Sequence, residues 1–200
     1  MEIDTVFATF GILGLAGVIF AEISFLPAFF LPGDTLLFSA GYLIHDGILS
    51  IPHAVLFLGL AAFLGSMVAY YLGFYSKKRI EDYAKNKGES YANGFEKTRR
   101  FYNRYGLLTL FFGRFVPVVR TVAPFLAGVM KLPLVPYIII SLFSAFFWVT
   151  IGLALGAFFG RQLPNFEYII IVAMVVAITV SLIPIVYPYI KRKLFKKKGE

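Results

Sequence analysis

The chain has 200 residues, 59% hydrophobic and 15% charged, with no cysteine and a formal net charge of +8. Soluble domains carry about 25% charged residues, so this composition excludes an ordinary soluble domain and, despite the basic balance, a disordered or nucleic-acid-binding tail. The lack of cysteine excludes a disulfide scaffold and a thiolate metal site, and His45 and His53 match no zinc spacing, so neither a metal nor a cofactor is expected.

What remains is one integral membrane domain over residues 1–200. A bilayer core of about 30 Å needs about 20 apolar residues of helix. Thr5 to Ala21 is the first predicted span, bounded by Asp4 and Glu22. Acidic Glu2 and Asp4 stand where a cleavable signal would carry Lys or Arg, and there is no small-residue cleavage site. Gly11, Gly14 and Gly17 permit close packing, against the rest of the chain or against a second copy, so the sequence is compatible with an oligomer.

The next stretch, about 22–44, is apolar but broken. It holds Pro27, then Leu31-Pro32-Gly33-Asp34, then Ala40-Gly41. Proline removes a donor and clashes with the preceding turn, so a helix breaks here. Ile51 to Tyr75 is a second span. Residues 76–105 follow with nine Lys and Arg. Tyr91, Phe95, Tyr102 and Tyr105 recur at near-helical spacing there, which predicts an interfacial amphipathic helix. Gly88 would separate it from a shorter helix holding Ile80, Tyr83 and Ala84.

A second broken stretch, about 107–130, holds Gly113-Arg114, Pro117, Arg120, Pro124 and Ala127-Gly128. Leu132 to Gly160 carries no charge, nor does Tyr168 to Ile190, and residues 191–200 form a basic tail. The middle loop and the tail together hold 15 of the 19 basic residues, and the positive-inside rule puts both in the cytoplasm.

Each broken stretch is long enough to enter the membrane, turn and leave on the same side. Irregular backbone at that depth survives only when packed in protein or lining a wet cavity. Phe30-Leu31-Pro32 with Ala40-Gly41 parallels Phe115-Val116-Pro117 with Ala127-Gly128. The expectation is an all-α membrane protein built as an inverted repeat of two re-entrant helical hairpins. Repeat 1 would cover about 5–75 and repeat 2 about 107–160, with about four transmembrane helices and an interfacial helix. Paired broken elements build midplane sites in many transporters.

Four charges sit in apolar surroundings: Glu22, Asp34, Arg114 and Arg120. A charge near the bilayer centre is unfavourable by at least about 2.5–3.5 kcal/mol, so partners are required, and the simplest arrangement pairs two carboxylates with two guanidiniums across the repeat axis. A purely structural ion quartet adds little net stability over apolar packing. Arginine's planar fork suits a phosphate, which makes Arg114 and Arg120 the predicted phosphate ligands. A carboxylate between low dielectric and arginine can exchange a proton, which is the predicted role of Glu22 and Asp34. Pro32, Gly33, Pro117 and Pro124 are the expected hairpin-tip positions, leaving backbone donors free for a head group.

These residues carry a resemblance. Phe20-Ala21-Glu22, Phe30-Leu31-Pro32-Gly33-Asp34-Thr35-Leu36-Leu37 and Ala40-Gly41 look like the first half of the DedA family of bacterial membrane proteins, whose core is the VTT domain. Gly113-Arg114-Phe115-Val116-Pro117-Val118-Val119-Arg120-Thr121 with Ala127-Gly128 and Trp148 resembles its second half. The resemblance implies two inverted re-entrant hairpins in the bacterial cytoplasmic membrane. It also implies lipid movement between leaflets that depends on the proton-motive force, with Glu22, Asp34, Arg114 and Arg120 as the functional charges. Many members have Gly-Asp where this chain has Gly65-Ser66, so a third carboxylate is not implied here.

The expected function is transport of a phosphate-bearing lipid, undecaprenyl phosphate first, with protons and the membrane as the other partners. The alternatives are phosphatidylethanolamine or general phospholipid scrambling, and a proton-coupled ion or drug antiporter, which would not need both arginines. A lipid phosphatase lacks its nucleophile–base pair, since Arg120 is followed by Thr121 alone and both histidines fall near the outer surface in this topology. An enzyme is therefore not expected.

Overall fold

A computed structural model describes residues 3–26, 33–45, 50–86 and 108–162, with Glu96, Arg100, Tyr102, Arg104–Gly106, Tyr168 and Val172 as short additions. Among the described residues every regular element is a helix. They are α1 (Ile3–Ser24), α2 (Gly33–His45), α3 (Ile51–Asn86), α4 (Leu108–Gly113), α5 (Pro117–Val129) and α6 (Leu134–Gln162).

Local sequence explains most of the boundaries. α1 stops ahead of Pro27, which disfavours α-helical geometry in the residue before it. Pro117 opens α5 at the first helical position, where its missing N–H would be unpaired anyway, after an extended Val116. α5 closes with Lys131 in the left-handed region (φ 55°). There the Lys131 N–H bonds Gly128 O at 2.9 Å and the Leu132 N–H bonds Ala127 O at 3.0 Å. That is a Schellman closure with lysine in the place glycine usually takes. Tyr70 of α3 donates to Leu132 O at 2.6 Å, which ties the closure to the neighbouring helix.

α3 and α6 are long and apolar enough to cross a membrane. Only 44% and 39% of their most apolar stretches are buried, which distinguishes them from core helices of a soluble protein. The outward faces carry Leu56, Phe57, Leu60 and Leu64 on α3, and Val135, Ile139, Phe143 and Phe158 on α6. An apolar surface of that extent belongs in lipid.

The two halves exchange partners. α2, from the first half, packs on α6 of the second; α5, from the second half, packs on α3 of the first. Glycine makes both crossings. A Cβ on Gly41 would strike the α6 backbone at Leu153 and Gly156, and one on Gly156 would strike Phe38 of α2. A Cβ on Gly128 would strike Tyr70 and Phe74 of α3, and one on Gly73 would strike Phe125 of α5. The repeated Ala-Gly pairs are thus helix crossings, where small residues let two backbones touch. One buried cluster, with Ile19, Ile23, Leu37, Leu58 and Val149, lies on the α1–α2 side. A second, with Tyr70, Leu110, Ala127 and Tyr137, lies on the α4–α5 side.

Three expectations change. Glu22 belongs to the last turn of α1, which runs three residues beyond the predicted span, so the first break starts after Ser24. The short helix expected around Ile80, Tyr83 and Ala84 is the continuation of α3, which runs unbroken to Asn86. Basic residues do not end a helix; they change which medium it lies in, and Lys77 and Glu81 pair one turn apart at 3.7 Å. Gly11, Gly14 and Gly17 are exposed, with nothing within 4 Å of a Cβ at any of them, so the described residues offer no internal partner. The Gly88 break, most of the interfacial helix and the basic tail lie outside the described residues. So does the fourth span, apart from Tyr168 and Val172.

Candidate functional site

The four predicted charges come together at the two chain breaks. Glu22 is on the last turn of α1 and only 3% exposed. Asp34 is the second residue of α2, where the positive end of the helix dipole favours a carboxylate. Arg120 lies in the first turn of α5, and Arg114 in the turn between α4 and α5. Both arginines are 5% exposed.

The pairing differs from the expected quartet. Arg120 takes both carboxylates: Nη1 donates to Asp34 Oδ1 and Nη2 to Glu22 Oε1. Its guanidinium lies 4.9 Å from the centre of the Trp148 ring, a cation–π contact. Arg114 meets no carboxylate among the described residues. Its Nη2 donates to Ser66 Oγ at 2.7 Å and its Nε to Ser144 Oγ at 3.2 Å. Each serine donates its own proton to a backbone carbonyl on its own helix, Ala62 O at 2.8 Å and Ser141 O at 3.2 Å. A lone pair is thereby left for the arginine. Tyr137 braces this side by donating to Ser66 O at 2.7 Å. Among the described residues Arg114 Nη1 and Arg120 Nε have no hydrogen-bond partner.

Gly33 is required by close approach. A Cβ there would overlap Glu22 Oε2, and the Gly33 backbone N–H donates to the Glu22 carboxylate. That donor is therefore used by Glu22 in this state and is not free for a head group. Pro117 opens α5 directly after the turn that holds Arg114. Pro124 is not beside that turn: it is inside α5, two turns further on, and cannot donate to the carbonyl of Arg120. Pro32 lies outside the described residues.

The turn holding Arg114 is tight. Phe115 N–H bonds Phe112 O at 3.2 Å and Val116 N–H bonds Gly113 O at 3.1 Å. This geometry points Arg114 inward and leaves Phe115 on the surface. Farther along, Tyr102 donates to Ala123 O at 3.0 Å and pins α5 from the middle loop. Burial pushes the Tyr102 phenol upward, so it stays a donor.

Sequence reading did not give Ser66 and Ser144 a role, nor did it place Trp148 under Arg120. The one available signal was a small polar residue inside an apolar span, a common helix-to-helix hydrogen-bonding device in membranes. Among the described residues no cluster of His, Asp and Glu could hold a metal ion.

Comparison with known proteins adds three relatives. The VTT domain matches residues 31–158. Protein DedA of Escherichia coli K12 is 33% identical over 180 residues, covering 88% of this chain and 80% of the relative. Inner membrane protein YqjA of the same strain is 32% identical over 146 residues, covering 72% and 65%. Inner membrane protein YghB is 29% identical over 183 residues, covering 88% and 82%. No solved structure matches the chain.

Proposed function

The chain belongs to the VTT-domain (DedA) family, and from that premise we propose that it carries a phosphate-bearing lipid between the leaflets of a bacterial inner membrane. Undecaprenyl phosphate is the favoured cargo and a proton the coupled ion. The observation that carries this reading is Arg120 held by both Glu22 and Asp34 where the two chain breaks meet.

A guanidinium whose charge is already met by two carboxylates binds a phosphate weakly. Protonation of Glu22 and Asp34 weakens both pairs and frees a planar fork that matches two phosphate oxygens. Arg114 adds a second positive charge, its serine cradle being neutral at any pH. Loss of the protons on the other side lets the carboxylates retake Arg120 and expel the phosphate. The exchange needs no bond to be made or broken, so the protein acts as a carrier and not as an enzyme.

The re-entrant reading is supported by length. α2 and α5 have 13 residues each, about 20 Å of helix against a core of about 30 Å. The names of YqjA and YghB support an inner-membrane location. Charge supports a cytoplasmic middle loop and C-terminus.

The test is leaflet-resolved transport of undecaprenyl phosphate and phosphatidylethanolamine in proteoliposomes, with and without a pH gradient. The expected result is gradient-dependent movement of the phosphate lipid, lost in Glu22→Gln or Asp34→Asn while the protein stays folded. Unchanged flux in Arg114→Ala plus Arg120→Ala overturns the phosphate clamp. Release of inorganic phosphate from a lipid pyrophosphate would make the protein a phosphatase instead.

A further inference from the structure

A half-open cavity of about 270 Å³ adjoins the charged site, between α2 and α6. Asp34 stands at its head, beside Trp148, whose ring carries Arg120. From there the walls are apolar: Leu37 and Phe38 on α2, and Ile151, Gly152 and Leu155 on α6. The lining positions of α6 recur about once per turn from Trp148 to Leu155, so they form one stripe about 10 Å long. At Gly41 and Gly156, next to the far end of this stripe, the two helices touch backbone to backbone. Phe115, from the turn that holds Arg114, lies at the mouth and is 43% exposed.

We propose that this groove is the seat of the hydrocarbon chain of the transported lipid, and that it selects lipids whose phosphate carries a single chain. The inference rests on the phosphate-carrier reading of the charged site and adds to it where the rest of the molecule lies. Three observations carry it. The groove has one polar end, and that end is the carboxylate that a phosphate must displace from Arg120. Its remaining walls offer only apolar contact. At about 30 Å³ per water-sized group, 270 Å³ holds about nine such groups. A methylene is close to water in size, so the groove accepts about nine carbons, the first stretch of one chain.

The test is photolabelling of the full-length protein in vesicles with a diazirine-bearing dodecyl phosphate, mapped by peptide mass spectrometry. Adducts are expected on Phe38, Ile151 and Leu155, at least tenfold above Leu13 and Phe57, which are exposed on α1 and α3. Unlabelled dodecyl phosphate should compete at least tenfold better than dodecanol or dioleoyl phosphatidic acid. Leu155→Trp, at a position already 39% exposed, should lower labelling about tenfold, while Phe57→Trp leaves it unchanged. Adducts spread evenly over exposed positions, or dodecanol competing as well as dodecyl phosphate, would mean annular lipid only and overturn the proposal. Competition by the two-chain phosphatidic acid equal to that of dodecyl phosphate overturns the single-chain selectivity.

Parallel flux measurements separate this inference from the reading it rests on. Arginine-dependent flux with diffuse labelling removes the groove and leaves the carrier. Phosphate-dependent labelling of the groove without flux removes the carrier and leaves the groove.

Discussion

Arg114 and Arg120 lie six residues apart on one turn and the helix that follows it, yet they are held by opposite chemistry. Arg120 is clasped by two carboxylates, Glu22 and Asp34, and lies against Trp148. Arg114 rests on two serine hydroxyls that bring no charge. Protonation can therefore loosen the first cradle and cannot touch the second. In the proposed mechanism such a site has one cation whose partners can be neutralised and one whose partners cannot, which a symmetric quartet of ion pairs would not provide.

The strongest way to break this comparison is Arg120→Ala. It leaves buried Glu22 without its cation, and removing one partner of a buried pair is unfavourable by about 3–5 kcal/mol. Thermal unfolding in detergent should show that loss, and adding Glu22→Gln should recover most of it without recovering flux. A fully stable Arg120→Ala protein would mean that the carboxylate cradle contributes nothing. Arg114→Ala should be milder, about 1–3 kcal/mol, because Ser66 and Ser144 keep their own backbone bonds; flux should still fall at least tenfold. Equal losses in the two alanine variants would erase the distinction between the cradles.

Gly33→Ala sharpens it from the other side. The added Cβ displaces the Glu22 carboxylate and disturbs only the Arg120 cradle. About 1–2 kcal/mol of destabilisation is expected from such overpacking, with the pH dependence of flux changed more than its maximum. The smallest effect on transport belongs to Ser66→Ala and Ser144→Ala. Each removes one acceptor from the charged Arg114, worth about 1.5 kcal/mol, and should leave the pH profile of transport where it was. A shifted profile in either serine variant would show that Arg114 shares the proton switch.

Much of this was legible in the chain. The long apolar runs gave α3 and α6, since hydrocarbon thickness sets helix length. Pro27 and Pro117 gave the places where helices stop and start, through backbone geometry alone. The four charges stood out because nothing else charged lies in those apolar stretches. The continuation of α3 to Asn86 was harder to see, because the change from apolar to basic reads like an end although the backbone has no reason to stop. Pro124 looked like a tip residue, yet it sits within α5; proline is tolerated inside membrane helices, so its presence alone does not mark a break.

Composition and spacing by themselves determined the solvent, the helices and the identity of the four charged groups, because burial in lipid and proline geometry are local constraints. Only the tertiary structure decided who pairs with whom. Guanidiniums and carboxylates attract without preference for sequence position, so four such groups admit several pairings. The exchange of α2 and α5 between halves, fixed by Gly41 against Gly156 and Gly128 against Gly73, helps set the final geometry. It brings Asp34 and Glu22 to one arginine and leaves the other to Ser66 and Ser144.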